Sequence, residues 1–126
     1  MALSSDGSPT LDIFSTLYTV TEIFEFAARL TVSGVLTPGV ELIIKLNGMQ
    51  DRTLIALQRT FTWDRWYKAG GPEVFFQNEY ASSALLSVSS ELAREATASI
   101  FKHFGGFSLP ADILAQDQQR LLQRNL

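Results

Sequence analysis

In the run Val40 to Leu46, VELIIKL, the residues Val40, Leu42, Ile44 and Leu46 alternate with Glu41, Ile43 and Lys45. Successive side chains of a strand point to opposite faces, so this alternation demands a strand with one buried face. Ile43 makes the second face partly apolar. A strand of this kind needs a paired neighbour and a covering layer before its apolar side is dry. Asn47-Gly48 follows at once and is a turn signal, because both residues accept positive φ. The run Arg52-Thr-Leu-Ile-Ala-Leu57 then reads as the partner strand of a hairpin, with Met49, Gln50 and Asp51 lengthening the loop. A third apolar and aromatic run, Val74 to Tyr80, has the composition of a further strand.

The covering layer is helical. Ile23, Phe24, Ala27 and Leu30 recur at steps of three and four, which predicts a helix over Val20 to Ser33. Thr19 and Glu22 have the spacing of a capping box, and Gly34 suits the left-handed residue that closes a helix. Glu22 and Glu25 would then lie at the positive end of the dipole. A second helix is expected from Glu91 to Phe104, with Leu92, Ala93, Ala96, Ile100, Phe101 and Phe104 inward and Gly105-Gly106 ending it. Ser89 or Ser90 can cap its start, while Ser82 to Ser90 is open between strand end, loop and cap. Pro110 opens a last helix, with Ile113, Leu114, Leu121 and Leu122 as its apolar stripe and its glutamines facing water. The expected fold class is α+β: an antiparallel sheet (a hairpin plus at least one further strand) with about three helices packed on it.

Length suits one domain: 126 residues with 46% hydrophobic side chains bury a core, and 18% charge is far from the disordered class. Residues 1–16 are expected to be a flexible N-terminal segment, and 17–126 a single domain. The chain has no cysteine, which excludes a disulfide scaffold, a thiolate metal site and a cysteine nucleophile. Its single histidine, His103, leaves little room for an imidazole-built metal site. No secretory signal or apolar run of membrane-spanning length is present in this sequence, so a cytoplasmic location without membrane contact is expected.

The net charge of -3 argues against a generally polybasic binder, yet it hides an uneven distribution. The stretch from Arg52 to Lys68 carries +3, and among its charges stand Phe61, Trp63, Trp66 and Tyr67. Arg52, Arg59, Trp63, Arg65, Trp66, Tyr67 and Lys68 are therefore the candidate partner- or nucleic-acid-binding residues. Arginine, tryptophan and tyrosine dominate protein hot spots. Cations among aromatic planes also suit single-stranded nucleic acid, through phosphates and stacked bases. Core packing of some of these aromatics is the third reading, since an extended segment would turn Phe61, Trp63 and Arg65 one way and Trp66 the other.

Other features carry less chemistry. His103 falls near a helix C-terminus, where a structural or surface role suffices. Gly70-Gly71-Pro72 and Gly105-Gly106 lack P-loop spacing and read as chain breaks. The carboxylates are scattered, and Glu22 with Glu25 reads as a solvated pair, not an acid-base pair. Gln77-Asn78-Glu79-Tyr80 puts polar groups at a strand end, which a strand running out to the surface explains.

The order of features, the TEIFEFAARL helix, the VELIIKLNG-to-RTLIAL hairpin and the ELAREATASIFKHFG helix followed by ADILAQDQQRLL, resembles the C-terminal accessory region of bacterial Schlafen/AlbA-type ATP-binding or DNA-binding regulators. The resemblance covers Leu17 to Leu122. In such proteins the nucleotide- or nucleic-acid-associated function is attributed to a separate N-terminal domain, so the resemblance implies an accessory, interaction or sensing module and carries over no active-site residue.

The expected function is thus a non-enzymatic interaction or regulatory domain, either an accessory module of a larger bacterial protein or a self-associating protein. Its partner would be a protein or a second copy, with no cofactor, no metal and no catalytic residue assigned. A nucleic-acid-binding module using residues 52–68 is the alternative. A small enzyme with a pocket bounded by Trp63, Glu79, Tyr80 and His103 is the second alternative.

Overall fold

The computed structural model describes residues 10–34, 39–55, 67–108 and 111–124. Along these the chain forms β1 (Thr10–Asp12), α1 (Ile13–Val32), β2 (Gly39–Asn47), β3 (Thr53–Ile55), β4 (Glu73–Ala81), α2 (Ser82–Phe101) and α3 (Ala111–Arg124). The fold is α+β.

The first helix begins seven residues earlier than its apolar spacing suggests. Asp12 is the N-cap, and its Oδ2 accepts bonds from the Ser15 amide at 2.9 Å and the Ser15 hydroxyl at 2.8 Å. Thr19 and Glu22 therefore lie inside α1 and are exposed, so the expected capping box does not form, and Glu22 and Glu25 are not at its positive end. Ile13 and Phe14 are fully buried, so the fold begins by Thr10 and not at residue 17. Gly34 closes the other end as expected, at φ +81° with its amide bonded to the Thr31 carbonyl. Asp12→Ala removes both capping bonds and is expected to lower stability by about 1 kcal/mol. The check is a lower denaturation midpoint at unchanged slope.

The alternating strand pairs, but not with the expected neighbour. β2 runs antiparallel to β4 through an unbroken register from Gly39 opposite Ala81 to Asn47 opposite Glu73. The run after the Asn47-Gly48 turn instead provides the short β3, which pairs in parallel with β1, Leu11 opposite Leu54. Strand length decides the choice. β4 matches all nine residues of β2 and sets Val74, Phe76 and Tyr80 opposite Leu46, Ile44 and Val40, whereas β3 has three described residues. The like pattern on both long strands keeps one face apolar except at Asn78, which stands opposite Leu42.

α1 and α2 pack along each other, and α3 rests against both. The core is built from Phe14, Leu17 and Phe24 of α1, Leu85, Ile100 and Phe101 of α2, and Phe104 beyond it. Phe24 meets Tyr80 edge-on at 5.4 Å, which ties the helical layer to β4. Thr21, Thr31 and Thr97 are buried without loss because each hydroxyl donates to the carbonyl four residues back. The serine-rich stretch left open by the sequence is helical. It is interrupted at Val88, whose φ of -136° breaks α2 just before Ser89 and Ser90. Gly105 and Gly106, both at positive φ, follow its C-terminal end as expected.

The last helix departs from its expected faces. Leu114 and Leu121 are buried, but so are Asp117 and Gln118. Gln118 Nε2 donates to the Ser90 carbonyl at 2.8 Å and to Thr21 Oγ1 at 3.2 Å, and its Oε1 accepts from Arg94 Nη1 at 2.7 Å. One glutamine thus links all three helices.

Candidate functional site

The described ends of the basic aromatic stretch are anchored in the fold. Arg52 donates from Nε to the Gly48 carbonyl and from Nη1 to the Thr10 carbonyl, each at 2.8 Å, tying the turn after β2 to β1. Leu54 donates its amide to the Tyr67 carbonyl, Ala69 donates to Arg52, and Lys68 bridges Thr53. The Tyr67 ring is half-buried and packs edge-on to Phe107 at 4.8 Å. These three members of the candidate set hold the two ends of the stretch together. Arg59, Trp63, Arg65 and Trp66 lie outside the described residues.

The polar strand end is also accounted for locally. Gln77 Nε2 donates to Glu41 Oε2 at 2.9 Å, and Asn78 Oδ1 accepts the Glu79 amide at 2.9 Å. Desolvation, opposed by a hydrogen bond with Asn78 and reinforced by the Glu95 charge, raises the Tyr80 phenol above its ordinary value of 10.0. The exposed His103 ring sits over the carbonyls of Ser99 and Ile100, and the His103 carbonyl accepts the Gly70 amide. Gly70 lies beside the start of β4, whereas Glu79 and Tyr80 stand at its far end, roughly 20 Å along the strand at its usual rise. His103 is therefore not brought to Glu79 and Tyr80. Among the described residues, no three histidine or carboxylate side chains meet as a metal site, and no helix is long and apolar enough to cross a membrane.

The features that sequence reasoning passed over lie on the outer face of the sheet and along the edge of β2. Ile43 and Phe75 point away from the helices, 54% and 44% exposed, at diagonal positions of the β2–β4 pair. Glu41, Glu79, Lys45 and Glu73 surround them, with Lys45 Nζ 3.2 Å from Glu73. The signal was present in the departure of Ile43 from its alternation, but one apolar residue on an outer face does not announce a patch. A second feature is a groove of about 460 Å³ between α1 and β2. Thr16, Thr19 and Ile23 form part of its helical wall, and Ile43 to Leu46 form the strand wall. Four consecutive strand residues belong to both faces of the sheet, so this groove follows the edge of β2.

Comparison of the chain with protein-family models, with curated proteins and with solved structures returned no match.

Proposed function

We propose that the chain is a non-enzymatic interaction or regulatory domain of the cytoplasm that works by binding a protein, in the simplest case a second copy of itself. The observation that carries this reading is the outer sheet face, where Ile43 and Phe75, each about half exposed, stand at diagonal positions within a ring of charges. An antiparallel sheet that faces only water alternates to polar side chains on that side, so apolar groups there favour contact with another macromolecule. Trp63, Arg65 and Trp66 supply further anchor chemistry of the kind that protein interfaces concentrate. Service as an accessory module of a larger bacterial protein is compatible with the same surface.

Light scattering tests it. The chain is expected to show a weight-average mass rising above 14.0 kDa with concentration, and Phe75→Ser or Trp66→Ala is expected to lower that mass. A monomer at every concentration, unchanged in both variants, overturns self-association. The +3 carried by Arg52 to Lys68 favours one second reading, a nucleic-acid-binding module. In that case labelled oligonucleotides bind at low salt and dissociate steeply as salt rises, because phosphate contacts release counterions. No binding of single or double strands at low salt removes it.

A further inference from the structure

Among the described residues β2 is paired on one side only, and no described strand lies along its other edge. That edge is nine residues long, roughly 30 Å, with no proline and an unbroken register against β4. Natural sheets blunt such edges with prolines, bulges, short strands or charged side chains, because a row of unpaired amides and carbonyls is a template for another strand. Of these devices β2 carries the charges Glu41 and Lys45. The groove beside α1 follows this edge.

We propose that β2 pairs antiparallel with β2 of a second copy, about a two-fold axis through Ile43, to build a continuous four-stranded sheet in the order β4–β2–β2–β4. The proposal deepens the self-association reading and rests on it. Its argument is charge complementarity. A two-fold axis normal to an antiparallel pair places one residue opposite itself, so each choice of axis fixes every other pair. With Ile43 on the axis, Glu41 faces Lys45 of the second copy and Lys45 faces Glu41, on the same outer face as the two isoleucines. Inward, Leu42 faces Ile44 and Val40 faces Leu46, all apolar. Moving the axis to Leu42 or Ile44 sets Glu41 against Ile43 or Asn47 and Lys45 against Gly39 or Ile43, and both charge pairs vanish. One register alone is self-complementary, which favours a second copy over an unrelated strand.

The protomer leaves this charge to be met. Glu41 stands directly opposite Glu79 on β4, a like-charge pair of the kind that destabilises a sheet. Among the described residues its carboxylate accepts from Gln77 and has no cationic partner. Lys45 is half exposed beside Glu73, with three donors to share between that carboxylate and one across the edge. An axis normal to the sheet keeps the helices of both copies on one face and leaves Ile43 and Phe75 of both on the other.

Sedimentation of the 126-residue chain tests the pairing. A reversible dimer is expected. Lys45→Glu and Glu41→Lys each turn two attractive pairs repulsive and should weaken it about tenfold, while the double swap Glu41→Lys/Lys45→Glu should restore it. Circular dichroism confirms that each variant is folded. Because the chain has no cysteine, Ile43→Cys supplies a sole thiol that faces its counterpart and should oxidise to a covalent dimer. Asn47→Cys, which faces Gly39, should not. A dimer indifferent to the charge variants but lost in Phe75→Ser or Trp66→Ala overturns the edge pairing and leaves the interaction reading standing. A monomer at every concentration overturns the edge pairing and self-association together.

Discussion

Phe24→Ala is expected to lower the unfolding free energy by about 3–5 kcal/mol, a large part of what a domain of this size possesses. Phe24 is fully buried on α1 and meets Tyr80 of β4 edge-on at an interplanar angle of 77°. The substitution removes the transfer free energy of the ring and leaves a cavity between helix and sheet that close-packed neighbours fill only in part. It also removes the aromatic pair, worth about 1 kcal/mol beyond its buried area. Phe26 is the control, two positions along the same helix and 60% exposed. Phe26→Ala should change stability by less than about 0.5 kcal/mol. Urea unfolding should show a midpoint lower by about 2 M for Phe24→Ala and nearly unchanged for Phe26→Ala. Equal effects in the two variants would mean that the face of α1 has been misassigned.

Gln118→Met is expected to cost about 2–4 kcal/mol although methionine matches glutamine closely in shape. The loss is polar. Gln118 is buried at the meeting of the three helices, where its amide satisfies the Ser90 carbonyl, Thr21 Oγ1 and the Arg94 guanidinium. A thioether offers no donor and only a weak acceptor, so the half-buried Ser90 carbonyl and Arg94 guanidinium and the buried Thr21 Oγ1 each lose the bond that the amide gave them. Gln119→Met, on the exposed side of α3, should be close to neutral. Arg94→Met/Gln118→Met should cost less than the sum of its single changes, because the second substitution removes a partner the first had already stranded. Additive effects would show that the two side chains act independently.

Both effects mark where the sequence is readable and where it is not. The apolar spacing of α1 was legible because a helix repeats its buried face every three to four residues. Its start was not, because the Thr19–Glu22 spacing also occurs inside helices, and the residue that caps α1 is Asp12, through Ser15. The Gln-rich composition of α3 reads as a wet surface. Gln118 is dry only because Arg94, Ser90 and Thr21 come from other helices to meet it. Within the basic aromatic stretch, composition predicted a contact surface but could not show that Arg52 is occupied by the Gly48 carbonyl and by the distant Thr10 carbonyl.

Local periodicity and turn chemistry by themselves determined that the chain carries an amphipathic first helix, alternating strands and an α+β architecture, since those signals depend on residues close together in the chain. Only the tertiary structure decided which strand lies beside which. Pairing β2 with β4 and β3 with β1 depends on matched length and register across tens of residues, and on a helical layer that covers one face of the pair. The same long-range choice leaves Ile43 outward and the second edge of β2 without a described neighbour, because a strand's faces follow from its own alternation but its edges are set by what packs beside it.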